Sequence, residues 1–256
     1  MMAVLFLPKC MVHIYRIAIA IIIVKKEGEI EMGIEITIKK SEKTDIKKLW
    51  NAKEETDWED ALAWAHHQTE VKMSNTEIGK KLSRMKTDDF RKMDGQDFYR
   101  FLVGDYANWK YTDGKIRSRV QYGIQEFYQT HTDYEVKRVL NGIFEIEPED
   151  IYLHLANITR INGIGVAGAS DILSLILPQY FGTVDRFAAE NLQKVYDEDS
   201  FYGKKLKQIN PHNIAAYDAV TVIRIYREKA EEVTKIYRRV VTPREIDMVL
   251  RYADEF

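Results

Sequence analysis

Residues 151–177 read IYLHLANITRINGIGVAGASDILSLIL. In its first half, Ile151, Leu155 and Ile158 recur at helical spacing, which predicts an apolar stripe on one face of a helix. Helical spacing resumes after a pair of glycines and stops before Pro178. The stretch therefore predicts two helices joined by a short turn.

The turn between these helices is INGIG, residues 161–165. Glycines at 163 and 165 allow backbone angles that other residues avoid and let another surface approach closely. Between them, Ile164 is expected to fill the gap between the helices. Small residues then begin the second helix and allow two helices to cross closely: Ala167, Gly168 and Ala169.

The backbone of this turn suits a phosphate. Amide N–H groups around the two glycines and at the start of the second helix are expected to lack partners, at the positive end of a helix dipole. Contacts of this kind position a protein on DNA without reading its sequence. The alternative is a plain corner between two packed helices. The candidate DNA-backbone residues are Gly163, Ile164, Gly165, Ala167 and Gly168.

An aspartate follows the turn in the segment PQYFGTVDRFAAENL, residues 178–192. Asp185 lies 20 residues after Gly165 and directly before a predicted helix, Arg186–Tyr196. Because Asp is a good N-cap, capping alone explains the residue. A carboxylate at a reacting face can also stabilise a developing cation or activate water, and the two roles can coexist.

The order of these features resembles the helix-hairpin-helix DNA glycosylase superfamily over roughly residues 150–195. The resemblance rests on the aliphatic-x-Gly-aliphatic-Gly turn, the small-residue helix and the segment Thr183-Val184-Asp185. It implies an all-α bundle that binds double-stranded DNA. It also implies that Asp185 is the catalytic residue, since cleavage of an N-glycosidic bond develops positive charge on the sugar.

The sequence departs from that family at three points. Members that also cut the DNA backbone carry a lysine two residues after the second hairpin glycine, where this chain has Ala167, so no lyase activity is expected. Phe187 replaces a residue that is often polar in the repair enzymes. Cys10 is the single cysteine, which excludes a four-cysteine iron–sulfur cluster. The adjacent His66 and His67 point to different faces of any helix, which disfavours a shared metal site. Neither a cofactor nor a metal is expected.

An aromatic and basic segment precedes the hairpin, FYRFLVGDYANWKYTDGKIRSRV, residues 98–120. A base flipped from a duplex needs an aromatic platform and a kinked backbone needs cations, and this segment contains both. Core packing explains part of the aromatic content equally well. The residues predicted to touch DNA are Trp109, Lys110, Tyr111, Arg117 and Arg119.

Composition and charge set the broad limits. The chain has 256 residues, 45% hydrophobic and 30% charged, which is ordinary for a globular protein. A net charge of −2 argues against binding nucleic acid through overall charge. The charge is uneven, however: −5 over residues 27–60, +5 over 79–119 and +6 over 203–244. This distribution allows one basic face, although solvated helix faces explain it as well.

Residues 1–40 form a separate apolar extension with three explanations. Residues 11–24 are shorter than the roughly 20 that span a membrane, which disfavours an anchor. Alternation at period two over residues 30–38 predicts the second strand of a β-hairpin. Alternatively, purine-rich codons for residues 26–29 contain a ribosome-binding sequence, in which case Met32 is the true start.

The sequence thus predicts an all-α fold with one helical domain over residues 41–256. The expected function is that of a monofunctional DNA glycosylase, a base-excision-repair hydrolase, with double-stranded DNA as partner. No membrane association is expected, and the expected location is cytoplasmic. Two alternatives stay open: a non-catalytic DNA-binding module on the same fold, and an interaction protein whose hairpin only packs helices. The sequence names neither the base nor the oligomeric state.

Overall fold

The computed structural model of the chain describes residues 15–26, 29–40 and 45–253. In the N-terminal extension, strands β1 (Tyr15–Lys26) and β2 (Glu29–Lys40) pair antiparallel, with Ile21 opposite Ile34 in the register. This pairing is the one that the hairpin explanation predicts. The rest of the extension lies outside the described residues, and the start at Met32 stays a prediction.

From residue 45 to residue 253 the chain is helical, which confirms the all-α prediction for this part. A π-helical turn, Phe101–Tyr106, joins α5 to α6 in one continuous rod. The helices are α1 (Ile46–Trp50), α2 (Glu55–Ser74), α3 (Glu77–Arg84), α4 (Thr87–Lys92), α5 (Gly95–Arg100), α6 (Ala107–Lys110), α7 (Gly114–Thr130), α8 (Asp133–Glu145), α9 (Ile151–Thr159), α10 (Val166–Ile176), α11 (Arg186–Val195), α12 (Phe201–Leu206), α13 (Ala216–Tyr237) and α14 (Pro243–Arg251).

Most of the helices begin directly after a residue whose side chain caps the helix. A short polar side chain accepts a hydrogen bond from a free amide of the first turn, which satisfies one of the donors that a helix start leaves open. Capping boxes, in which a glutamate three residues later reaches back to the cap, begin α8 and α14. The side-chain caps are Asp45, Thr76, Asp94, Asp113, Thr132, Asp185, Ser200 and Thr242.

The two central helices, α9 and α10, form the predicted hairpin. Ile151, Leu155 and Ile158 are fully buried on α9, which confirms the apolar stripe. Ile164, in the turn, is 3% exposed and fills the space between the helices as expected. The helices α9 and α10 pack on each other and on α13, so the hairpin lies against the core while its turn reaches the surface.

The turn packs backbone to backbone against α7. Gly163 has φ +85°, and a Cβ on it would lie 2.8 Å from the carbonyl oxygen of Val120. A Cβ on Gly123 would in turn lie 2.8 Å from the Asn162 carbonyl. The expectation that both turn glycines need unusual angles is wrong for Gly165, which has extended backbone (φ −86°, ψ −176°) and open space around it.

Gly163→Ala is therefore expected to destabilise the protein by about 2–3 kcal/mol, because a methyl group meets both a strained backbone angle and the Val120 carbonyl. Gly165→Ala is the matched control, with a change within about 1 kcal/mol, since its Cβ enters open space. Urea unfolding of the two variants measures the difference. Equal stabilities would contradict the close packing of the turn on α7.

Candidate DNA-binding and catalytic site

The start of α10 presents unsatisfied backbone donors. Gly165 is the N-cap residue, and no residue in the described part of the chain accepts a hydrogen bond from the N–H of Gly165, Val166 or Ala167. Gly165 and Ala167 are exposed and Val166 is partly exposed, so this helix start lies at the surface. The unpaired amides expected at this helix start are present, and phosphate binding there stays a prediction.

Gly168 lies on the opposite, buried side of the same turn of helix. The Tyr106 hydroxyl donates to the Gly168 carbonyl oxygen at 3.2 Å, and a Cβ on Gly168 would lie 3.2 Å from the Tyr111 hydroxyl. The close approach that the small residue permits here is thus to two tyrosines. Of the predicted backbone-binding residues, Gly168 and Ile164 are buried, whereas Gly163, Gly165 and Ala167 are exposed.

Helix α7 holds the turn in place and carries two of the predicted arginines. The Asn162 side-chain amide donates to Glu126 Oε2 at 3.1 Å. Arg117 precedes Val120 by one helical turn, and its Nη2 lies 3.9 Å from the Cβ position of Gly114 at the start of α7. Arg119 is exposed on the same helix.

Asp185 caps α11 and forms an ion pair. Its Oδ1 accepts from the Ala188 amide at 3.1 Å, and its Oδ2 lies 2.5 Å from Arg251 Nη2. The side chain is 17% exposed. The capping role is confirmed, and the catalytic role stays a prediction.

The segment that contains Asp185 is hydrogen-bonded to the second hairpin helix. The Val184 amide donates to Ser170 Oγ at 2.9 Å, and Thr183 Oγ1 donates to Asp171 Oδ1 at 2.8 Å. On the other side, the Thr183 amide donates to Asp247 Oδ2 at 2.8 Å. The hairpin, the aspartate and α14 therefore form one connected unit.

A narrow cleft opens beside this unit. Its cavity volume is about 30 Å³, room for one or two water molecules and too small for a nucleobase in this state. Met73 and Tyr252 contribute apolar walls, and Arg251 joins the cleft to Asp185. Its charged lining is Lys72, Lys110, Arg244, Arg251, Asp171 and Asp247.

Two of the five predicted aromatic and basic residues, Trp109 and Lys110, line this cleft. Lys110 Nζ is 3.0 Å from Asp171 Oδ2 and 19% exposed, so Lys110 must leave that ion pair before it can meet DNA. Trp109 lines the cleft below Lys72, whose Nζ is 5.6 Å from the indole centroid. Tyr111 packs edge-on against Tyr106, with ring centroids 6.2 Å apart. DNA contact by these residues stays a prediction.

Sequence reasoning missed the buried carboxylate of Asp171. It is 1% exposed, in a helix whose other inward residues are apolar or small. Burial alone raises the pKa of such a group, but Lys110, Arg244 and Arg251 outweigh burial and hold the pKa of Asp171 at about 2. The sequence signal that could have identified it is a single acidic residue in a segment of apolar and small residues, VAGASDILSLI, residues 166–176.

Because the pKa of Asp171 in the fold, about 2, is below its ordinary 3.8, its stabilising contribution is present above pH 3.8 and is lost as the pH falls through 2. That contribution is roughly 2 kcal/mol. Asp171→Asn is expected to be less stable than the parent at pH 6, with the gap closing towards pH 2. Urea unfolding at several pH values measures the gap, and a constant gap would contradict the ion-pair assignment.

The structure offers no grouped set of metal ligands: among the described residues, no three His, Cys, Asp or Glu side chains are arranged to hold a metal ion. No helix in the described ranges is long and apolar enough to cross a membrane.

Comparisons of the chain with protein-family models, with curated proteins and with solved structures gave no match. The functional conclusion therefore rests on the chain's own residues.

Proposed function

We propose that this protein binds double-stranded DNA through the hairpin turn and hydrolyses the N-glycosidic bond of a damaged or mismatched base, with Asp185 as the catalytic carboxylate. The observation that carries the proposal is the hydrogen bonding of Thr183 and Val184, the two residues before Asp185, to α10. The Val184–Ser170 and Thr183–Asp171 bonds fix the aspartate relative to the helix whose start offers free amides. A phosphate on those amides would orient a nearby sugar towards Asp185.

Charge and exposure support the DNA-binding half of the proposal. Gly165 and Ala167, whose amides are unpaired, are exposed, and Arg117 and Arg119 on α7 add positive charge on the helix that packs against the turn. Such an arrangement holds a DNA backbone from two sides without contacting base edges. Binding is therefore expected to depend on salt and to vary little with sequence.

Replacing both Arg117 and Arg119 by alanine is expected to lower the salt dependence of duplex binding. Each lost phosphate contact reduces the slope of log affinity against log salt by about 0.9, so two contacts reduce it by about 2. The control replaces Lys47 and Lys48, exposed lysines on α1, and changes the net charge equally. An unchanged slope in the arginine variant would mean that neither arginine contacts a phosphate and that both are solvated surface residues.

A second candidate function, a DNA-binding module without chemistry, is favoured by one observation. Asp185 already has a close partner in Arg251, and the adjacent cleft holds only about 30 Å³. A glycosylase of this kind must release the carboxylate from Arg251 and open the cleft when DNA binds. Release of a free base from a modified duplex separates the two candidates, because both bind DNA and only one breaks the glycosidic bond.

A further inference from the structure

One histidine lies entirely inside the core and has no role in the site described above. His154, on α9, is 0% exposed, and neither of its ring nitrogens has a hydrogen-bond partner among the described residues. Buried polar groups are nearly always hydrogen-bonded, so two unpaired ring nitrogens are unusual. The imidazole is tolerated there only while it is neutral, because a buried charge needs a partner.

An arginine on α13 joins two loops beside this histidine. Arg227 Nε donates to the Tyr180 carbonyl oxygen at 2.8 Å, and Arg227 Nη2 donates to the Pro148 carbonyl oxygen at 2.7 Å. Tyr180 belongs to the loop of residues 177–185, called the Asp185 loop, and Pro148 belongs to the loop that leads into α9. Arg227 thus ties the Asp185 loop to the start of the hairpin.

A phenylalanine of the Asp185 loop contacts both side chains. The imidazole of His154 meets the ring of Phe181 edge-on, with the ring centroids 4.9 Å apart. The guanidinium carbon of Arg227 lies 5.1 Å from the centroid of the same ring. Because Phe181 is fully buried, the histidine and the arginine meet at one ring inside the protein. A change of charge on His154 therefore acts on the group that holds the loop.

The surroundings of His154 oppose its protonation. Burial lowers the pKa of His154 below its ordinary 6.5, and the positive charge of Arg227 acts in the same direction. The nearby carbonyl groups of Glu147 and Ile146 and the carboxylate of Asp150 raise that pKa and are outweighed. The charged groups with the largest effect on the ring are Arg227 on α13 and Asp150 at the start of α9. Among the described residues, α8 and α10 contribute no charge of comparable effect.

We propose that Arg227 positions the Asp185 loop and that protonation of His154 in mild acid releases it. A proton on His154 places a second cation against the Phe181 ring, beside the Arg227 guanidinium. Two cations in the core repel each other, and the charged imidazole is stabilised when the loop moves away and admits water. The release of the loop follows from these contacts alone, whereas its effect on base release rests on the proposed function.

The pH range of the release follows from the direction of the pKa change. With the loop closed, the pKa of His154 is below 6.5, and with the loop open it returns to about 6.5. The open form therefore binds the proton more readily, and the closed form loses stability as the pH falls below 6.5. One proton changes the ratio of open to closed loop by at most about tenfold for each pH unit.

Hydrogen–deuterium exchange of the loop amides tests the proposal. The amides of Phe181, Thr183 and Val184 are hydrogen-bonded, so their exchange reports opening of the loop. Exchange rates between pH 7.5 and pH 5.0 are compared with those of amides in the middle of α2, which corrects for the pH dependence of the chemical step. In the parent protein, the protection of the loop amides is expected to fall by about tenfold or more relative to α2.

His154→Leu removes the ring that takes up the proton and keeps an apolar side chain next to Phe181. The relative protection of its loop should not change with pH, whereas His212→Leu, at an exposed histidine, should behave as the parent does. Each variant is compared with itself across the pH range, so a constant loss of stability does not affect the result. His154→Phe, which retains a flat ring, repeats the test if the leucine variant does not fold. A parent loop whose protection does not fall, or an equal fall in the His154 variants, would overturn the proposal.

Arg227→Gln tests the positioning role at pH 7.5, where His154 is neutral. The change removes the guanidinium that reaches both carbonyl oxygens, so loop protection is expected to fall by at least about tenfold without acid. Base release is expected to fall with it, while duplex affinity stays unchanged because the start of α10 is untouched. Unchanged loop protection would overturn the positioning role. If the parent releases no base at any pH while its loop still opens in acid, the proposed function fails and the acid-sensitive loop stands.

Discussion

Replacing Asp185 by asparagine is expected to lower base release by at least about a hundredfold while duplex affinity stays close to that of the parent. Asparagine caps a helix about as well as aspartate, so α11 keeps its start. The change removes the carboxylate that would stabilise the developing sugar cation. It also removes the charge facing Arg251, which adds a stability cost of about 1–2 kcal/mol to the change. Single-turnover base release below the melting temperature measures the effect.

Arg251→Gln is the matched control for this experiment. It breaks the same ion pair but leaves the Asp185 carboxylate in place. Base release is expected to fall far less in this variant than in Asp185→Asn. If the two variants lose activity equally, the ion pair matters and the carboxylate has no separate catalytic role. If the asparagine variant retains full base release, Asp185 is only a cap.

Gly165→Asp is expected to weaken binding to all duplexes alike, by about tenfold to a hundredfold. The new carboxylate would cap α10, occupy the free amides and repel a phosphate. The fold should tolerate it, because a Cβ at this position meets nothing within 4 Å and the backbone is extended. Stability is therefore expected to be unchanged or slightly raised while affinity falls.

The control for this prediction is Gly165→Asn, which has the same shape, caps the helix equally well and carries no charge. The asparagine variant is expected to bind more weakly than the parent and more tightly than the aspartate variant at low salt. The gap should narrow as salt rises. If the aspartate variant binds as tightly as the parent, with an intact helical spectrum, the turn does not hold a phosphate.

The features that could be predicted from the sequence are those determined by residues close together in the chain. The stripe of Ile151, Leu155 and Ile158 follows from helical spacing alone. The cap at Asp185 likewise follows from one residue placed directly before a helix. For the same reason the positions of α9, α10 and the turn between them could be predicted without any knowledge of the surrounding helices.

The rest depends on contacts between residues far apart in the chain. Arg251 lies 66 residues from its partner Asp185, and no local pattern marks the pair. The pairing of Asp171 with Lys110 likewise depends on how α10 packs against the rod that ends in α6. The backbone contact between Gly163 and Val120 requires α7 to cross the turn. Periodicity predicts which face of a helix is buried, but it does not predict which helix covers that face.

The most direct test of the central claim is release of free base from a panel of duplexes, each with one damaged or mismatched base. The proposed function predicts that the parent protein releases at least one of these bases and leaves an abasic site. Asp185→Asn is predicted to bind the same duplex and release that base at least about a hundredfold more slowly. Tight, salt-dependent binding with no base released from any duplex would contradict the catalytic claim and leave a DNA-binding module.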